Sequence, residues 1–241
     1  MDTTTAISVI IPALDEEPSV AAAIASARQH AEVIVVDGGS SDGTAQAAAS
    51  LGASVVHSSR GRGRQLAAGA AEARGDWLVF LHADTRLAPG WADELRCQPP
   101  HVVGGAFRFA MDTRRFAGRV MEFGVWLRCR LFRLPYGDQA IFARRSAYLR
   151  SGGFPDLPLL EDVVFVRRLR RVGAVRMLRT RALTSARRWK QRGMFRTMLI
   201  NWLIMALHGT GVPPQRLARL YAGSGSKPPR PSPWRERCTW K

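Results

Sequence analysis

Three short runs in the first hundred residues, 7–11 (ISVII), 33–36 (VIVV) and 77–81 (WLVFL), are apolar throughout apart from Ser8. Each run stops at residues that favour a loop: Pro12, then Asp37-Gly38-Gly39, then His82-Ala83-Asp84. A strand with no polar alternation must be covered on both faces, which is the signature of a buried parallel strand. The segments between them, 19–30, 44–51 and 65–73, are Ala-rich with apolar residues at helical spacing, and 53–57 reads as a further strand. Strand and helix therefore alternate, which predicts an α/β domain with a mostly parallel central sheet flanked by helices. In such sheets ligands bind beyond the carboxyl ends of the strands, so the loops after Val36 and Leu81 face one crevice.

Beyond Pro89 the alternation weakens. An apolar stretch at 104–109, a Gly-Asp-Gln turn at 137–139 and a helix starting near Glu161 predict a smaller α+β region. From Pro213, and more clearly from Gly223, Pro, Ser, Gly and Arg replace any apolar period, which reads as a basic flexible tail over 213–241. With 241 residues, 46% of them hydrophobic, the rest of the chain suits one medium domain, 1–212.

Charge is divided unevenly. Residues 1–100 carry 7 Arg and Lys against 12 Asp and Glu, whereas residues 101–241 carry 29 against 7. The basic half implies an anionic partner, and a phosphorylated substrate, an anionic membrane face and nucleic acid all satisfy it. Only Lys190, Lys227 and Lys241 are lysines, so codon bias accounts for part of the arginine excess equally well. Cys97, Cys129 and Cys238 are odd in number, far apart and in no CxxC pair, which points to a reducing, cytoplasmic compartment. The opening residues lack the basic start of a signal peptide.

Several constellations are able to carry chemistry, and each has a plainer reading. Asp37, at a strand end before two glycines, is placed to accept hydrogen bonds from a base or ribose; the plainer reading is a tight turn with Asp42 capping the next helix. Residues 61–64 (GRGR) precede a helix, where guanidinium and backbone N–H groups hold a diphosphate or simply form a solvated loop. His82 and Asp84, two apart on one strand end, point to the same side, and Asp84 suits Mg²⁺ or Mn²⁺. Glu161 and Asp162 at a helix start either compensate the helix dipole or supply a general base. Residues 187–192 (RRWKQR) mix cations with an aromatic, and 198–207 (MLINWLIMAL) is half the length of a membrane span, so it reads as a core or interfacial helix.

Taken in order, SVIIPALDEE, VIVVDGGSSDGT, GRGRQLAAGAAEARGDWLVFLHADT, GGFPDLPLLEDVVFVRRLRRVG and ARRW resemble the family 2 glycosyltransferases of GT-A, Rossmann-like fold, over roughly residues 6–210. More narrowly, the LHADT strand end and the GGFP-x-x-P-L-x-E-D loop resemble a small bacterial subgroup named for arsenosugar biosynthesis or for glycosylation of a carotenoid acid. The resemblance implies a nucleotide-sugar half over 1–100 and an acceptor half over 101–212. It places Pro12, Asp37, Gly38, Gly39, Arg64, Asp84, Arg188 and Trp189 on a UDP-sugar donor, with Asp84, and His82 beside it, at a Mn²⁺ or Mg²⁺ ion. Asp162, with Glu161 next to it, falls on the catalytic base of an inverting transfer to an acceptor hydroxyl or carboxylate, lipid-linked acceptors among them. The chain departs from the family at two points: His82 replaces the first Asp of D-x-D, and Ser185 replaces the Gln of Q-x-x-R-W.

Two other classes compete with this reading. A nucleotidyl-transferring or sugar-nucleotide-binding protein shares the sheet but does not need Asp162. A nucleic-acid module needs aromatics among its cations, and Arg167, Arg168, Arg170 and Arg171 have none, so no nucleic acid is expected. Peripheral contact of the basic half with the inner membrane face is compatible with the transferase reading.

Overall fold

A computed structural model describes residues 5–113, 116–132, 137–185 and 194–223. Strands β1 (Ile7–Ala13), β2 (Glu32–Asp37), β3 (Ser54–His57) and β4 (Trp77–Phe80) are joined by helices α1 (Glu17–Ala27), α2 (Thr44–Ser50) and α3 (Arg62–Glu72). All four strands are parallel, with Ile10 of β1 beside both Ile34 and Phe80. The apolar runs required this arrangement. In β1, Val9 and Ile11 pack with Val20, Ala23 and Ile24 of α1 on one face. Ile10 packs with Ile34, Val36 and Leu66 on the other.

The second half continues through β5 (Thr85–Leu87), α4 (Trp91–Arg96), β6 (Val102–Met111), α5 (Phe116–Phe132), a 3₁₀ turn (Gly137–Gln139), β7 (Ile141–Arg144), α6 (Arg145–Ser151), α7 (Glu161–Val172), β8 (Ala174–Thr184), α8 (Met194–Gly209) and α9 (Pro214–Gly223). Strand order across the sheet is β3-β2-β1-β4-β7-β6-β8-β5. β7 is antiparallel to β4 and β6, β6 is parallel to β8, and β5 is antiparallel to β8. The sheet is thus mostly parallel, as the alternation predicts, with mixed pairing in the α+β region.

Two segments differ from the sequence expectation. β8 (AVRMLRTRALT) is an eleven-residue strand in which arginines interrupt any apolar run; its long pairing with β6 holds it in the sheet. The expected tail starts too early. Residues 214–223 form a helix with Pro at its first position, where the absent N–H costs nothing. Leu217 is buried and Tyr221 packs one turn on, beside Ile204 and Val212. The remaining tail residues, 224–241, lie outside the described residues. Residues 198–207 fall within α8, which buries Ile204 against the α3 and α7 side of the core and leaves Leu199 and Leu203 in solvent. Among the described residues, no helix is long and apolar enough to cross a membrane.

Packing of α3 on the sheet depends on a glycine. A Cβ on Gly69 would lie 2.4 Å from Ile10 Cγ2 and 2.7 Å from Val36 Cγ2, two branched side chains of the central strands. Neither can move without disturbing its strand. Gly69→Ala is therefore expected to destabilise the protein by about 1–3 kcal/mol, despite the better helix propensity of Ala. A chemical-denaturation midpoint unchanged by the substitution would show that α3 shifts freely.

Candidate active site

Each loop at the carboxyl end of the sheet is fixed by a different device. The loops after β1 and β2 are latched together: Glu16 N donates to Thr44 Oγ1 (2.9 Å), Ser41 N to Asp15 Oδ1 (2.8 Å), Glu17 N to Asp42 Oδ2 (3.2 Å) and Gly43 N to Glu17 Oε2 (3.1 Å). Asp42 also accepts from Thr44 N and Oγ1 just before α2, whose N-cap position is Gly43 and not Asp42. Those bonds, the Thr44 hydroxyl first, hold its carboxyl below the usual range. Beneath the latch, the buried Gln65 amide donates to Ala13 O (2.8 Å) and Val36 O (2.9 Å). One side chain of α3 thereby sets the spacing of β1 and β2 where they end. Nothing in the sequence marked Gln65, because a lone polar residue at a helix start is normally solvated.

Asp37 sits at the end of β2, buried, and its carboxylate accepts from Gly39 N, Ser40 N and the Ser40 hydroxyl. Exposed His57 lies 3.5 Å away. Gly38 backs directly onto Gln65, whose amide a Cβ there would meet at 2.9 Å, and Gly39 adopts a positive φ of 85°. Pro12 lies past the last β1–β4 partner pair, Ile10 with Phe80, where β1 keeps one neighbour and tolerates a residue without an N–H.

A second group of residues gathers around the end of β4. Arg62 Nη1 lies 3.2 Å from His82 Nε2, and Arg62 Nε lies 2.5 Å from Glu161 Oε1. His82 is half-buried; burial first, and the Arg62 charge second, push its pKa down to about 3. The neutral ring then accepts from Arg62 at Nε2. Arg62 keeps 44% of its side-chain surface in solvent while Glu161 keeps 2%, so Glu161 carries the cost of burial. Burial raises its pKa, opposed by Arg62 and reinforced by Asp162.

Asp162 is oriented differently. Its Oδ2 accepts from Gly137 N and its Oδ1 from Val163 N, both at 2.7 Å, and it is only half-buried. Gly137 stands between the two groups: a Cβ there would lie 2.8 Å from His82 Nε2 and 3.4 Å from Asp162 Oδ2. Before α7, Leu160 adopts a left-handed backbone (φ 64°), unfavourable for a branched residue and held here by its burial against the core. That turn brings both acids into the first turn of α7. Below it, Phe154 of the Gly-Gly-Phe-Pro loop packs on Phe80 (4.7 Å) and Phe165 (4.3 Å), which anchors the loop to β4 and α7.

Asp84 directly precedes β5, beyond Leu81, His82 and Ala83, and is half-buried. Thr85 Oγ1 donates to its Oδ1 at 3.3 Å, and its carbonyl accepts from Ser185 N (2.9 Å) at the end of β8. The Thr184 hydroxyl, 3.0 Å from that of Thr85, lies 3.2 Å from Asp138 O. The start of β5, the end of β8 and the Gly137–Gln139 turn are thus tied together. Arg188 and Trp189 follow Ser185 in the chain but lie outside the described residues. Arg64 points away from this cluster and its Nε donates to Asp156 Oδ1 (2.8 Å), a bond that holds it charged. Of the two arginines in GRGR, Arg62 is the one that meets the predicted acids.

Among the described residues, no group of three or more His, Cys, Asp or Glu side chains gathers to hold a metal. Asp84 offers a hard oxygen ligand at the carboxyl-terminal side of the sheet. A cation taking one protein carboxylate and completing its shell with phosphate oxygens fits that site, and Mg²⁺ and Mn²⁺ bind in this way.

Residues 8–147 match the profile of glycosyl transferase family 2. The chain belongs to that family and is a glycosyltransferase of GT-A, Rossmann-like fold. No protein of curated function matches the sequence significantly. Among solved structures, a mycobacterial protein is 25% identical, with 75% of this chain covering 65% of that one at a TM-score of 0.51. Glucosyl-3-phosphoglycerate synthase from Mycobacterium tuberculosis, in complex with Mn²⁺ and UDP-glucose, is 22% identical, with 86% of this chain covering 80% of that one at a TM-score of 0.59. Its complex with Mn²⁺, UDP and glucosyl-3-phosphoglycerate matches at 22% identity over 86% of this chain and 81% of that one, also at 0.59.

Proposed function

We propose that this glycosyltransferase moves a sugar from a UDP-sugar to an acceptor hydroxyl with inversion, Asp162 acting as the base. The observation that carries this reading is the Asp162 carboxylate. Two backbone N–H groups fix it in the first turn of α7, with Gly137 between it and the His82 ring. Each oxygen keeps lone-pair capacity for an acceptor O–H. As Asp162 takes that proton, the acceptor oxygen attacks C1 of the sugar, the bond from C1 to the β-phosphate oxygen breaks, and UDP leaves.

The remaining residues hold the donor. Asp37 and the Gly38-Gly39 turn form the nucleoside end, where the space beside Gly39 is open and the Asp37 side chain is already oriented by Ser40. Asp84 would hold Mn²⁺ or Mg²⁺, which supplies charge neutralisation for the leaving diphosphate. His82, neutral and engaged by Arg62, contributes no charge there. Arg64 is paired with Asp156 only by an exposed bridge, worth about 0–1 kcal/mol, so a diphosphate can compete for it. Arg188 and Trp189 are assigned to the diphosphate or acceptor on family resemblance. The complexes of the mycobacterial synthase with Mn²⁺ and UDP-glucose support the choice of nucleotide and metal.

Calorimetric titration of UDP with and without Mn²⁺ tests the donor site. Binding is expected to strengthen with Mn²⁺, and Asp84→Ala is expected to erase the gain while retaining metal-independent affinity. If a folded protein binds no UDP under either condition, the nucleotide is a different one. A nucleotidyltransferase is the second reading, favoured only if Asp162 proves dispensable. On the acceptor side, lipid-linked alcohols or acids and peripheral contact with an anionic membrane on the cytoplasmic side are proposals drawn from the basic second half. Of the aromatics there, Phe107 and Phe109 are core, whereas Phe123 and Trp126 are exposed.

A further inference from the structure

Helix α5 is apolar on two faces, and the fold uses only one of them. Met121 and Cys129 are buried, and Met121 and Val125 pack against Phe109 and Met111 of β6. The opposite face presents Val120, Phe123, Trp126 and Leu127 to solvent, at spacings of three and four residues, with Phe123 60% and Trp126 47% exposed. The two rings stack at 5.6 Å, and the Arg130 guanidinium lies over Trp126 at 5.8 Å. An aromatic and aliphatic stripe left in water normally has a partner.

Charge selects that partner. Residues 114–133 contain six arginines and one acid, Glu122. Glu122 is turned toward the sheet, where its Oε1 accepts from Met111 N at 2.9 Å. Exposed Arg119 and Arg130 bracket the stripe. The outward face therefore offers aromatics, aliphatics and cations without a carboxylate. A second copy of the chain, at a net charge of +17, would bring like charge to it. Nucleic acid would use the rings and the cations but would gain nothing from Val120 and Leu127. An anionic lipid interface uses all of them: Trp and Phe seat at the headgroup level, aliphatics enter just below, and arginines meet lipid phosphates.

We infer that the exposed face of α5, centred on Phe123 and Trp126, docks the enzyme in the plane of an anionic membrane surface. This deepens the peripheral-contact proposal above and is independent of the donor chemistry. The test is co-sedimentation of the full chain with phosphatidylcholine vesicles, with and without phosphatidylglycerol, at low and high salt, compared with Phe123→Ser/Trp126→Ser. The wild-type chain is expected to pellet with anionic vesicles and to be weakened, but not released, by high salt. The double variant is expected to bind at least about tenfold more weakly, because two large side chains no longer leave water. Superimposable circular-dichroism melting curves report that the variant is folded, so the test does not depend on the donor site. Equal binding by the two proteins, or full release by salt alone, would overturn the inference in favour of charge spread over the basic half. It would also be overturned if a single-stranded oligonucleotide bound the chain more tightly than the vesicles did and the variant lost that binding instead.

Discussion

Asp162→Asn is expected to lower kcat by about 10²–10⁴-fold while UDP affinity stays near wild type, because a positioned general base contributes on that order to a proton-transfer step. The substitution is nearly isosteric, yet it does two things. It removes the proton acceptor, and it leaves one of two backbone donors badly served: an amide can offer its single oxygen to Gly137 N or to Val163 N, not to both. That second effect costs about 1 kcal/mol of stability and does not move the chemistry. Steady-state rates with a UDP-sugar and a hydroxyl acceptor, read beside UDP titration, separate the two. A rate within about tenfold of wild type would sink the assignment of the base. It would leave either a carboxylate acceptor, which arrives already deprotonated, or nucleotidyl transfer.

Much of the donor half was legible because burial is written directly into it. The runs ISVII, VIVV and WLVFL can only be covered strands, and their ends place Asp37, His82 and Asp84 on one side of the sheet. The Pro-punctuated loop and the Glu161-Asp162 pair marked the start of α7 for the same local reasons. What the sequence hid depends on contacts distant along the chain. β5 follows Asp84 at once but joins the far edge of the sheet, beside β8. No local pattern announces that jump, yet it is what brings Thr184 and Ser185 to Asp84. Arg62 and Arg64 look alike in GRGR, but the helical turn between them directs one to Glu161 and the other to Asp156. Glu161 and Asp162 are adjacent, and only the fold tells the buried acid from the presented one. Gln65 likewise acquires its role from two carbonyls, at Ala13 and Val36, that chain folding brings to it.

The separation of the two acids leads to the second large effect. Arg62→Met is expected to destabilise the protein by about 3 kcal/mol at neutral pH, because it leaves Glu161 buried without its cation and with Asp162 still beside it. The pH dependence has a definite sign. Glu161 already has a folded pKa above its unfolded value, so its contribution to stability is fully present below about pH 4.5 and is lost as pH rises through the folded pKa. Removing Arg62, the cation whose charge opposes burial, moves that folded pKa higher and deepens the loss. His82 acts in the opposite direction: its folded pKa near 3 lies below the unfolded 6.5, so its contribution is present above pH 6.5 and fades as pH falls toward 3. Burial, the larger cause of that shift, survives in the variant. Urea denaturation of Arg62→Met between pH 4 and 8 should therefore show stability falling more steeply toward alkaline pH than in the wild-type chain. Adding Glu161→Leu should restore much of the loss and flatten the profile, since an apolar side chain of similar reach has no proton to lose. If the single variant is as stable as wild type at pH 8, Glu161 has found water or another cation, and the role of Arg62 in holding the first turn of α7 is wrong. A recovered double variant that is folded, binds UDP and still transfers sugar at a reduced rate would show that Glu161 positions α7 while Asp162 does the proton transfer.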